Sequence, residues 1–236
     1  MIWIQKGGFT VERCTFYDST KDGVMVTPLA DAGDIVGGVI RDIASFRMGR
    51  DAVSISGGNE GQKVRDLTVE NVSLKVGYER GAVEISDGTD HITVRNVSAA
   101  DAVYAIDVQD HGGKSAANTN IVIEDVEAVN CRHIVRTANS PRDHAGLILR
   151  RFVGHHCERP IQISHTRNVA IEGLELTFKA GSKSSPIHFK NCQEIRAGKI
   201  VIRGLPEGVN AVLQERCEDV KIEAPTPAEP DKTEPE

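Results

Sequence analysis

One short pattern recurs along this chain at a step that only a stacked repeat fold accommodates. It is an apolar residue, two mostly polar ones, then another apolar or small residue. The copies read Val11-Glu12-Arg13-Cys14, Ile40-Arg41-Asp42-Ile43, Val69-Glu70-Asn71-Val72, Val94-Arg95-Asn96-Val97 and Ile123-Glu124-Asp125-Val126. They continue as Leu149-Arg150-Arg151-Phe152, Ile171-Glu172-Gly173-Leu174 and Ala197-Gly198-Lys199-Ile200, with a partial copy ending at Ile222. The nine lead positions lie 22 to 29 residues apart, about 26 on average. Self-similarity at such a period is the signature of a solenoid.

Most copies are preceded by alternating apolar positions, as in Leu67-Thr68-Val69 and Ile121-Val122-Ile123, which predicts a strand with one buried face. The third position is Asp42, Asn71, Asn96, Asp125 or Gly173 in five copies. These residues tolerate a left-handed backbone, so a corner is expected there, with Asn bonding the next coil's backbone. A second strand lies between copies: Val24-Met25-Val26, Val53-Ser54-Ile55, Val83-Glu84-Ile85 and Ile106-Asp107-Val108, with weaker versions at Ile161 and Ile187. A leucine-rich repeat would need LxxLxLxxN and a helical half, and neither is present. The expectation is an all-β, single-stranded parallel β-helix of about nine coils, its inward Val and Ile stacked at roughly 4.8 Å.

Composition agrees. Aromatics are 4% of the chain, so the core must be aliphatic, and no run of about 18 apolar residues offers a membrane span. The net charge is −6, of which the last twelve residues hold −3, leaving −3 for the body. Nucleic acid is not an expected partner, because such binders need a concentrated positive face. The five cysteines are odd in number and lack CxxC spacing, which predicts free thiols rather than a disulfide frame or zinc site. His155-His156-Cys157 lacks further ligands at metal spacing. The β-helix is expected over residues 1–224, with 225–236 a disordered Pro- and acid-rich tail. Met1 opens no signal peptide, and Ile2-Trp3-Ile4 reads as a strand already in mid-coil. Further N-terminal coils, or a partner packed on that end, are therefore expected.

The repeats with Asn or Asp at the corner resemble the pectin lyase-like superfamily of right-handed parallel β-helices, over roughly residues 2 to 224. The mid-coil strands are closest in style to polygalacturonase-type glycoside hydrolases. Lys21-Asp22-Gly23-Val24-Met25-Val26 is similar to NTDGIDI, and Gly49-Arg50-Asp51-Ala52-Val53-Ser54-Ile55 to GDDCIAI. The resemblance implies Asp22 and Asp51 as the carboxylates that activate water. It also implies a secreted or cell-surface setting and a polysaccharide substrate. Arg50 stands where the family's general acid would be, Gly81 where it keeps a His, and Asp107 and Gln109 replace its substrate-binding Arg and Lys. The family's inverting mechanism therefore does not carry over intact.

Read without the family, the outward strand positions form a line: Ser54, Glu84, Asp107, then Val135, Gln162 and His188. Asp22 and Asp51 begin that face, and His111 follows the Asp107 strand. The candidate catalytic residues are Asp22, Asp51, Glu84 and Asp107. Arg50, Arg80, Tyr78, Tyr104, His111 and Arg132 are candidate substrate contacts, the tyrosines as sugar-stacking surfaces. Each has an ordinary alternative: Asp22-Gly23 as a turn, Arg50–Asp51 as a surface ion pair, and Glu84 and Asp107 as solvated strand residues. If the line holds, the four carboxylates converge within roughly 10 Å, and crowding raises the pKa of at least one.

Three functions fit this pattern. One is glycosidic hydrolysis by paired carboxylates, with Glu84 or Asp107 as displaced acid and no cofactor. A second is a lyase or epimerase in which Asp51, Glu84 and Asp107 hold Ca²⁺ and Arg80 or Arg132 abstracts a proton. The third is a non-catalytic polysaccharide-binding or structural shaft.

Overall fold

The nine lead positions of the repeat lie side by side in one sheet. Val11 pairs with Ile40, and the row runs through Val69, Val94, Ile123, Leu149, Ile171 and Ala197 to Ile222. The computed structural model describes every residue except 59, 112–114, 138–142 and 229–236.

Short and long strands alternate. The short ones are β1 (Ile2–Ile4), β3 (Val24–Val26), β5 (Val53–Ser56), β7 (Gly81–Ser86), β9 (Tyr104–Gln109), β11 (His133–Thr137), β13 (Ile161–Ser164), β15 (Ile187–Lys190) and β17 (Val212–Glu215). They stack in chain order into one parallel sheet. The long ones, β2 (Phe9–Tyr17), β4 (Ile35–Met48), β6 (Val64–Gly77), β8 (Thr89–Ala100), β10 (Thr119–Val129), β12 (His144–Cys157), β14 (Thr166–Phe178), β16 (Gln193–Arg203) and β18 (Glu218–Ile222), stack into a second. Eight turns of about 26 residues separate β1 from β17. Among the described residues there is no helix, so none is long and apolar enough to cross a membrane. The fold is the expected all-β parallel solenoid.

Val24, Val53, Val83, Ile106, Val135, Ile161 and Ile187 form an inward row in which every side chain is buried. Burying each such side chain contributes about 1.5–3 kcal/mol. That exceeds the roughly 0.5–1.5 kcal/mol of a typical hydrogen bond, so the rows rather than the corners hold the coils together.

The expected corners are present. Asp42, Asn71, Asn96, Asp125 and Gly173 all have positive φ, and so do Arg13, Arg151 and Lys199 at the same place in other copies. The corner Asn bonds a side chain of the neighbouring coil rather than its backbone. Asn71 Nδ2 donates to Asp42 Oδ1 at 2.8 Å, and Asn96 Nδ2 to Asn71 Oδ1 at 2.7 Å.

One detail differs from expectation. Thr226–Ala228 (β19) pair with β16, so ordered strand continues past residue 224, while 229–236 lie outside the described residues. The cysteines are free, with Cys131, Cys157 and Cys192 buried and Cys14 and Cys217 half-buried. Burial pushes the Cys131 and Cys192 thiols up to about 11 and Cys157 to about 12, which leaves them inert small hydrophobes.

Candidate functional site

The outward row of the short-strand sheet reads Trp3, Met25, Ser54, Glu84, Asp107, Arg136, Gln162, His188 and Leu213. Arg136, not Val135, follows Asp107. Val135 belongs to the inward row, buried between Ile106 and Ile161. A one-residue slip in such a strand exchanges the two faces.

Asp51 precedes β5 at the foot of this face. Its Oδ1 accepts the Gly81 N–H at 3.2 Å and the Tyr104 hydroxyl at 2.9 Å. Its backbone N–H donates to Asp22 Oδ1 at 3.2 Å, and Arg50 Nε lies 3.2 Å from that same oxygen. Asp51 Oδ2 has no hydrogen-bond partner and lies 3.8 Å from Arg80 Nη1. Arg80 Nη1 also donates to Glu84 Oε1 at 3.1 Å. The remaining Glu84 partners are Ser54 Oγ, at 3.0 Å from Oε2, and Gln109 Nε2 on Oε1. Asp107 Oδ2 accepts from Arg136 Nη2 at 2.7 Å, while its Oδ1 has no partner. Asp22, Asp51 and Glu84 are thus joined through the Asp51 backbone and Arg80, while Asp107, beside Glu84 in the sheet, pairs with Arg136.

Burial sets their electrostatics. Desolvation and the neighbouring Glu84 charge hold Asp51 well above the usual carboxylate range. Burial also pushes Glu84 up, but the Arg80 charge and hydrogen bonds from Gln109 and Ser54 outweigh it and leave Glu84 lowered. Asp107 is raised by burial, against the pull of Arg136. Two adjacent carboxyls are therefore driven apart, Asp51 toward the acid form and Glu84 toward the carboxylate. All three carboxyls are closed off from solvent: Asp51 and Asp107 are 0% exposed and Glu84 2%. Arg80 and Arg136, with side chains 29% and 28% exposed, cover them.

The substrate-contact candidates divide. His111 joins the network: Nδ1 lies 2.7 Å from Asp87 Oδ2, its backbone N–H bonds Asp87 Oδ1, and Nε2 is 3.9 Å from Glu84 Oε1. The Asp87 hydrogen bond raises its pKa. Tyr104 offers no stacking surface, since its ring is buried and the Arg136 guanidinium sits 4.8 Å from the ring centroid. Tyr78 is exposed but lines a separate depression with Arg132, Asp101, Asn130 and Lys179, at the corner where the long strands end. The sequence reading missed Arg136 and Gln109 as carboxylate partners. Gln109 was visible two residues beyond Asp107, on the same side of the same strand.

Arg80 and Arg136 already stand where a cation would neutralise Glu84 and Asp107. Among the described residues no three His, Cys, Asp or Glu side chains are placed to hold a metal.

The parallel solenoid is consistent with the pectin lyase-like fold, and the incomplete motifs leave the family open. No family model, curated protein or solved structure matches this chain.

Proposed function

We propose that the protein is a carbohydrate-active β-helix that hydrolyses glycosidic bonds of a polysaccharide laid along the outward row of the short-strand sheet. The observation that carries this reading is the placement of two buried carboxyls, Asp51 and Glu84, about the single Arg80 guanidinium, at 3.8 and 3.1 Å, with burial favouring the acid form of Asp51 and Arg80 the ionised form of Glu84. A carboxyl kept protonated beside one kept ionised is how a single site supplies both an acid and a base at neutral pH. Asp51 is the proton donor to the leaving oxygen. Glu84, ionised, activates water or attacks the anomeric carbon. A secreted or cell-surface setting follows from the same reading.

The test is release of reducing ends from a panel of plant and microbial polysaccharides. The Asp51→Asn variant should lose at least about a hundredfold in rate, the scale of a positioned general acid. The exposed-site control Asp31→Asn should not change. Cleavage that survives Asp51→Asn contradicts the assignment.

A second reading, polysaccharide binding without turnover, is favoured by one observation: all three carboxylates are 2% exposed or less beneath arginines. Binding without product under every condition would establish it instead. The lyase reading has weaker support. Although burial pulls Arg80 down, the nearby Glu84, Tyr104 and Asp51 raise it above its ordinary value, the reverse of what a proton-abstracting Arg needs.

A further inference from the structure

The inward row where the long strands begin turns polar in its middle. It runs Ile35, Val64, Thr89, Asn118, His144, Thr166 and Cys192, all of them buried. Asn118 is its hub. The Asn118 Oδ1 accepts the Gly88 and Thr89 N–H groups at 3.1 and 3.0 Å and the Thr89 hydroxyl at 2.8 Å. Those three bonds fix which end of the amide is oxygen. Nδ2 faces the other way, donating to the Gln109 carbonyl at 2.7 Å and meeting His144 Nδ1 at 3.3 Å. An amide NH₂ only donates, so the ring nitrogen facing it must be bare, and the imidazole's single proton sits on Nε2. That Nε2 is itself buried and has no hydrogen-bond partner among the described residues. Rotating the ring would exchange the two nitrogens and leave the requirement unchanged.

Only a neutral His144 meets that requirement. A second proton sets a donor against a donor, and flipping the amide would turn its NH₂ onto the Gly88 and Thr89 N–H groups. Burial opposes that proton and pushes His144 down to about 4, against the pull of Asp110, Asp143 and Asp87 and with the help of His165. Thr166, its partner on β14, already donates its hydroxyl to the Ser164 carbonyl. The Asn118 bonds also reach the carboxylate site. Gly88 and Thr89 follow Asp87, which holds His111, and Gln109 donates to Glu84. Asn118 therefore ties the turn after β7 to the end of β9.

We propose that His144 is a pH latch: neutral, it keeps Asn118 clamped between the turn after β7 and the end of β9, and protonated, it releases that clamp and loosens the support of Asp87 and Gln109. The His144 pKa is lowered by folding, so the clamp is complete above the ordinary value of 6.5 and is lost as pH falls toward the folded one. The latch is a property of the fold; only its consequence for catalysis at Glu84 rests on the proposed function.

The test is NMR of the full chain, with ring-nitrogen shifts of His144 and amide hydrogen exchange read at about pH 7 and about pH 4.5. The comparison is His144→Asn, whose side-chain oxygen takes the place of Nδ1 and does not titrate. In the wild type the ring proton should be on Nε2 at neutral pH. The Gly88 and Thr89 amides should lose at least about tenfold in protection at the lower pH, while the core amide of Ile123 keeps its own. His144→Asn should show no such loss. A ring proton on Nδ1, unchanged wild-type protection, or a matching loss at Ile123 overturns the latch, and so does an equal loss in the variant. The first three readouts need only the wild type, so they decide the matter even where His144→Asn does not fold. Polysaccharide cleavage enters none of them, so the latch and the proposed function fail separately.

Discussion

The Tyr104 hydroxyl reaches Asp51 across two coils. It donates to Asp51 Oδ1 at 2.9 Å, passing over the intervening coil at Gly81, the residue paired with Tyr104 in the sheet. A Cβ on Gly81 would lie 1.9 Å from the Tyr104 carbonyl oxygen and 2.3 Å from its ring. The glycine is therefore the gap through which one coil holds the carboxyl of another, and Arg136 closes the far face of the ring.

Gly81→Ala should consequently be among the most damaging single substitutions on this face. Backbone and ring must both shift to admit the methyl, so a loss of about 3 kcal/mol is expected, read as a lowered urea midpoint. An unchanged midpoint would show that Tyr104 yields freely.

Tyr104→Phe removes one donor to a buried carboxyl and little else. Stability should fall by about 1–3 kcal/mol. The hydroxyl's hydrogen bond favours the ionised form of Asp51, so its loss should move the Asp51 pKa still higher. Carboxyl-carbon NMR titration of wild type and variant measures that shift, and a downward movement would refute the arrangement.

His111 gives the fold a pH dependence of definite sign. Its folded pKa is raised, chiefly by the Asp87 hydrogen bond. The stability it contributes is therefore complete below its unfolded value near 6.5 and is lost as pH rises through the folded one. His111→Gln should destabilise more at about pH 5.5 than at about pH 8.5. Asp87 is lowered, so its own contribution fades only as pH falls through its folded pKa, in the acid range. Equal destabilisation at both pH values would remove the ion pair from the account.

Val76 takes a corner that Asp18, Arg47, Asp101 and Asn130 take in other coils, with φ of 67°. A β-branched residue is strained there. Val76→Asn should raise stability by about 1 kcal/mol, checked by thermal or urea unfolding.

Much of this fold was legible in the sequence because a solenoid writes its geometry as a period. The lead residues from Val11 to Ile222 were spaced by coil length, and the sheet aligned them one for one. Corners at Asn71 and Asn96 were readable from residue type. The left-handed Arg13, Arg151 and Lys199 were not readable. Nothing in those side chains favours the conformation, and stacking on neighbouring coils imposes it. Arg136 was hidden by two consecutive buried residues in β11. The Tyr104–Asp51 bond spans two coils, and a pattern read one step at a time does not carry it.

The central claim is that Asp51 and Glu84 form a split acid–base pair, and the pH dependence of polysaccharide cleavage tests it most directly. The account predicts a bell-shaped profile whose alkaline limb, set by Asp51, lies well above the ordinary carboxylate range near pH 4, and whose rate collapses in Asp51→Asn. A profile that Asp51→Asn leaves at wild-type rate and shape would contradict it.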